Sequence, residues 1–136
     1  MIVAVIDGMG GGIGAQIISQ LREALPQELE IWALGANAIA TQRMMQAGAN
    51  RGASGENALR VSAPKADVIL GPIGIVVPNA MLGEITPVIA AAIAAAPGRK
   101  LLIPINQTHF EIVGVEWKPL SQHIAQAVQI VSDEMT

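Results

Sequence analysis

The chain contains no cysteine and no tyrosine, and its aromatic residues are one phenylalanine and two tryptophans. Without cysteine there are no disulfides, no thiolate metal sites and no cysteine nucleophiles. Lysine is scarce too: Lys65, Lys100 and Lys118 are scattered along the chain. No basic patch can be built from them, so nucleic acid is not expected as a partner. Charged residues make up 14% of the sequence and hydrophobic residues 51%, with a net charge of -3. A charged share of about 25% is usual. So little charge leaves apolar surface to be covered, and a second copy of the chain, as a homodimer, is the expected cover. The longest uncharged runs, 68–83 and 85–98, are broken by proline and glycine. Both fall short of the roughly 20 apolar residues of a membrane span, so no membrane partner is expected. No basic segment precedes the first apolar run, which starts at residue 2. A signal peptide is therefore not expected, and a cytoplasmic location is the default. A chain of 136 residues fits one domain, 1–136, with a single core.

What the sequence does hold is concentrated at its start. Ile2-Val3-Ala4-Val5-Ile6 reads as a buried strand, and Asp7-Gly8-Met9-Gly10-Gly11-Gly12-Ile13-Gly14 follows it. Ile17, Ile18, Leu21 and Leu25 then recur at helical spacing. Glycines between a strand and a helix let the backbone approach a ligand. They also leave N–H groups at a helix N-terminus, where an anion is favoured. This is the layout of a dinucleotide-binding turn.

The rest of the chain alternates strand and helix. The spacing predicts a helix over 13–25, a strand over 30–34 and a helix over 37–47 stopped by Gly48. A short third strand over 49–53 and a helix over 55–63 follow, the latter capped by Ser54 with Leu59 inward. Residues 67–70 read as strand four, ending in Gly71-Pro72-Ile73-Gly74. Thr86 and Pro87 start a helix to Ala96, and 101–105 is strand five. Residues 112–115 read as a sixth strand. It follows too soon for a parallel crossover, so it is expected antiparallel to strand five at the sheet edge. A last helix over 119–135 carries Leu120, Ile124, Ala127, Val128 and Val131 inward. The expected architecture is α/β: a three-layer, doubly wound, Rossmann-like sheet, mostly parallel in the order 3-2-1-4-5, with an antiparallel edge strand. In that order the glycine turn and the 71–74 loop face each other across the switch-point crevice.

The first turn resembles the short-chain dehydrogenase fingerprint TGxxxGIG, with Asp7 where that family has threonine. Lys65-Ala66-Asp67-Val68-Ile69-Leu70-Gly71 is similar to the fourth strand of such cofactor domains, in which the glycine lies beside the nicotinamide half. Taken whole, the chain resembles an uncharacterised bacterial family of short proteins, catalogued only as a domain of unknown function. That resemblance implies a Rossmann-like fold and no particular activity. The dehydrogenase likeness implies NAD(P) as a candidate cofactor, but the family's Tyr-x-x-x-Lys pair is missing, since there is no tyrosine. The acid that binds the ribose 2′-OH is missing as well: Leu34-Gly35-Ala36-Asn37 stands there, and Asn37 is left as the hydrogen-bonding candidate. Arg43 lies too far along its helix to read as a 2′-phosphate ligand.

The residues singled out for a nucleotide-type ligand are Gly8, Gly10, Gly11, Gly12, Ile13 and Gly14 in the turn, with Gly35 and Asn37 after strand two. Gly71, Pro72, Gly74 and Asn106 complete the set, Asn106 as the polar candidate for a substrate. The competing reading of the glycines is tight strand–helix packing without a ligand. Asn37, Asn57, Asn79 and Asn106 compete as helix caps and turn formers. Asp7 reads first as a cap on the turn, and otherwise as a magnesium ligand beside a phosphate. No metal site is expected: His109 and Glu111 read as a surface pair, and His123 as solvated. No catalytic residue is assigned. Three functions stay open: nucleotide or dinucleotide binding, an NAD(P)-dependent oxidoreductase with an unusual proton donor, and a ligand-free structural or interaction domain.

Overall fold

The structure is a computed structural model, and it describes residues 1–105 and 110–136. Its five strands are β1 (Ile2–Asp7), β2 (Glu30–Gly35), β3 (Arg51–Ser54), β4 (Val68–Pro72) and β5 (Arg99–Ile103). They form one parallel sheet in the order β3-β2-β1-β4-β5. β1 is central, with Val3 beside Ile31 on one side and Val68 on the other. Buried on both faces, it has no polar residue before Asp7, as a parallel strand must.

Five helices cover the sheet: α1 (Gly12–Ala24), α2 (Ala38–Gln46), α3 (Glu56–Ser62), α4 (Pro87–Ala95) and α5 (Leu120–Glu134). Side chains alternate across the strands and divide the core into two layers. Val3, Val5, Ile31 and Leu70 pack with Ile17, Leu21, Met44 and Ile124 of α1, α2 and α5. Ala4, Ile6, Leu34 and Ile69 face the other way, onto Leu59 of α3 and Ile89 and Ile93 of α4. Local rules set the helix starts. Asn37 accepts a hydrogen bond from the Ala40 N–H, and Thr86 from the Ile89 N–H ahead of Pro87.

Three expectations are corrected. Residues 112–115 form no strand: Val113 and Gly114 make a turn, Gly114 has φ 86° and Val113 is 93% exposed. The glycine reverses the chain in the middle of what reads as an apolar run, and among the described residues there is no antiparallel edge strand. Ser54 does not cap α3. It ends β3 and donates its hydroxyl to Thr41 Oγ1 at 2.7 Å, while Gly55 precedes the helix without a side-chain cap. β5 also lies two residues earlier than its hydropathy indicates, because Arg99 pairs with Val68 at the start of β4.

β1 and β4 approach closely: a Cβ on Gly71 would overlap the Ile6 carbonyl oxygen and press on Ile75. Gly71→Ala is expected to lower stability by about 1–3 kcal/mol, read from urea unfolding, since the obstacle is backbone.

Candidate functional site

At the end of β1 the chain turns through residues 8–11 into α1. Asp7 holds this turn together. Its Oδ1 accepts the Gly8 N–H and its Oδ2 the Gly14 N–H, both at 2.8 Å, and the side chain is buried. Asp7 therefore caps the turn through the Gly8 and Gly14 N–H groups. Burial pushes its carboxyl above the ordinary value of 3.8, and the Glu84 carboxylate adds to this. The N–H groups of Gly14, Gly8 and Ile13 pull the other way.

The glycines divide by use. Gly11 sits in the left-handed region at φ 74°, and a Cβ there would strike the backbone of Ala40 in α2. Gly14 meets the Met44 side chain and the Asp7 Cβ, so both glycines let helices and strand pack closely. Gly8 lies beneath Glu84 and Met81. Gly10 and Gly12 are open: a Cβ on either would meet only the Arg43 guanidinium, at 3.9 and 3.4 Å. Among the described residues, the Gly10 and Gly12 N–H groups have no hydrogen-bond acceptor in the protein.

A cavity of about 300 Å³ opens against this turn. It brings together Gly8, Gly10, Gly11, Gly12 and Ile13 with Pro72 and Gly74, as the switch-point geometry requires. Asp7, Met9, Ala80, Met81 and Ile105 complete its wall. Gly14 and Gly71 do not line it. A Cβ on Gly35 would meet Thr41 and the Asn37 carbonyl, so that glycine lets α2 approach β2. Asn37 caps α2 and donates its amide to the Met9 carbonyl and to both Glu84 carboxylate oxygens, each at 2.9 Å. Asn106 and His109 lie outside the described residues.

Two site residues escape sequence reasoning. Glu84 accepts the Met9 N–H at 2.6 Å, which brings a carboxylate across the outside of the turn. A signal for it exists, since Glu84 is the only charge between Asp67 and Arg99. Arg43 is the other. Ala40 is the residue Gly11 packs on, and Arg43 lies one turn further along the same face of α2, beside Gly12. Met81 lines the cavity, whereas Leu82 beside it is exposed.

His123 is not solvated at both nitrogens: its Nε2 is buried with no partner among the described residues. It lines a second cavity of about 460 Å³ between β5 and α5, with Lys100, Lys118 and Glu116. Among the described residues, no group of three or more His, Asp or Glu could hold a metal ion, and no helix is long and apolar enough to cross a membrane.

Replacing Asp7 by Asn puts an amide NH2 against one backbone N–H. This is expected to cost about 1–3 kcal/mol in urea unfolding. With a folded-state carboxyl raised above 3.8, Asp7 gives its full contribution below 3.8 and loses it as pH rises through the raised value. The parent's margin over Asp7→Asn is therefore expected to widen as pH falls from 7 towards 4, and a constant margin would contradict the burial argument.

Among curated proteins none matches this sequence. In structure the chain is similar to a dodecameric FMN-dependent Ubix-like decarboxylase from Escherichia coli O157:H7, at 14% identity and a TM-score of 0.46, over 96% of this chain and 76% of that one. A family model matches residues 2–136, almost the whole length, and the chain belongs to that family, described as a domain of unknown function, DUF3842.

Proposed function

We propose that the chain binds a mononucleotide-sized ligand at the glycine turn. A phosphate would take the N–H groups of Gly10 and Gly12, with the Arg43 guanidinium beside it. A flat ring would enter the cavity against Met9, Ile13 and Pro72. The observation that carries this reading is the pair of open N–H groups next to a cation, at the mouth of a largely apolar cavity. A volume of about 300 Å³ is at the small end for ligand sites and suits one ring better than a whole dinucleotide. NAD(P) then binds by one half only, or with a partner subunit completing the site.

The test is a thermal-shift and calorimetric screen with ATP, FMN, NADH, NADPH and coenzyme A. At least one phosphate-bearing nucleotide is expected to bind. Arg43→Ala should weaken it about five- to tenfold at unchanged melting temperature. Gly12→Val should abolish binding and leave the fold intact, because its neighbour is a mobile side chain. A reduced nicotinamide as the sole binder favours the oxidoreductase reading. No binder, with Gly12→Val indistinguishable from the parent, favours the ligand-free one.

We further propose that two copies associate through α4. Its outward positions, Val88, Ala91, Ala94 and Ala95, carry no polar side chain, and exposed Leu82 lies just before the helix in sequence. Light scattering is expected to give a dimer, and Val88→Glu a monomer. A monomeric parent ends this proposal.

A further inference from the structure

Residues 79–85, between the 3-10 turn Ile73–Val76 and α4, form a compact loop over the glycine turn. Three of its residues other than glycine have left-handed backbone: Asn79 at φ 66°, Met81 at 58° and Leu82 at 57°, followed by Gly83 at 89°. Such a run is rare in residues with a Cβ, and it persists where surrounding structure enforces it. The loop is bonded mostly to itself. Its ends are clipped by the Asn79 N–H on the Ile85 carbonyl at 2.7 Å and the Ile85 N–H on the Ala80 carbonyl at 3.1 Å. Ile85 is fully buried and anchors the base. Beyond its neighbour Val77, the loop hydrogen-bonds the rest of the described chain through one group, the Glu84 carboxylate. That carboxylate takes the Met9 N–H and the Asn37 amide, donors that would serve a phosphate oxygen equally well.

We propose that residues 79–85 are a lid, that Glu84 is the internal anion that latches it to the glycine turn, and that the anionic group of a ligand opens the lid by displacing Glu84. The inference rests on the nucleotide reading for the displacing group but not for the latch. Removing the latch frees two donors and also removes a negative charge facing the incoming anion. Both effects favour an anionic ligand and neither favours a neutral one.

The test compares the full chain with Glu84→Ala and Glu84→Gln. Hydrogen exchange is followed by mass spectrometry, and ADP and adenosine binding by calorimetry. Without ligand, Glu84→Ala is expected to speed exchange at 79–85 about tenfold or more, with β1 and β4 unchanged; Glu84→Gln, which keeps an acceptor, should fall between. ADP should bind Glu84→Ala about tenfold more tightly than the parent, adenosine equally to both, and ADP should speed lid exchange in the parent. Unchanged lid exchange in Glu84→Ala overturns the latch, whatever binds. Faster exchange with equal ADP affinity overturns the displacement. Faster exchange with no ADP binding to either protein supports the latch and overturns both displacement by a nucleotide phosphate and this nucleotide reading.

Discussion

The Asp7 carboxylate ties the last residue of β1 to the first turn of α1, and the rest of the site hangs on that tie. It satisfies N–H groups on both sides of the turn from a buried position. A helix N-terminus leaves several N–H groups without partners, and its dipole favours a negative charge there. In this chain the protein supplies that charge itself. The desolvation that raises the Asp7 carboxyl is offset in part by the N–H groups it accepts. With the turn fixed, Gly11 can meet Ala40 and Gly14 can meet Met44, so α2 docks against α1 at one distance.

Two carboxylates thus take the inner and outer donors of the turn, Asp7 inside and Glu84 outside. What is left is narrow: the N–H groups of Gly10 and Gly12 and the guanidinium of Arg43. A glycine-rich turn reads as a generous phosphate cradle. Here most of its donors are already matched within the chain.

The parallel order, the strand–turn–helix opening and the Thr86-Pro87 start of α4 were legible because each depends on local spacing and backbone chemistry. The meeting of 8–13 with Pro72 and Gly74 was legible too, as it follows from the strand order. Ser54 shows where local rules stop. A serine before a helix has an alternative acceptor, Thr41 of α2, which no spacing reveals. Residues 112–115 show another limit, since Gly114 breaks an apolar run that hydropathy alone reads as extended. Glu84 reaches Met9 from a loop seventy-five positions away, so only tertiary structure brings them together. Its isolation in an uncharged stretch is visible in the sequence but does not say what it touches.

The central position of β1 has a consequence for biosynthesis. β1 and β2 come before β3 and α3 in the chain, and the other neighbour of β1, β4, is made only after them. Until then one full edge of the most apolar strand is unpaired, in a chain poor in charged residues to guard it. The closing of β4 onto β1, at the glycine contact between Gly71 and Ile6, is the step that ends this exposure. The close approach at Gly71 that lets β4 lie against β1 is thus also what covers that edge.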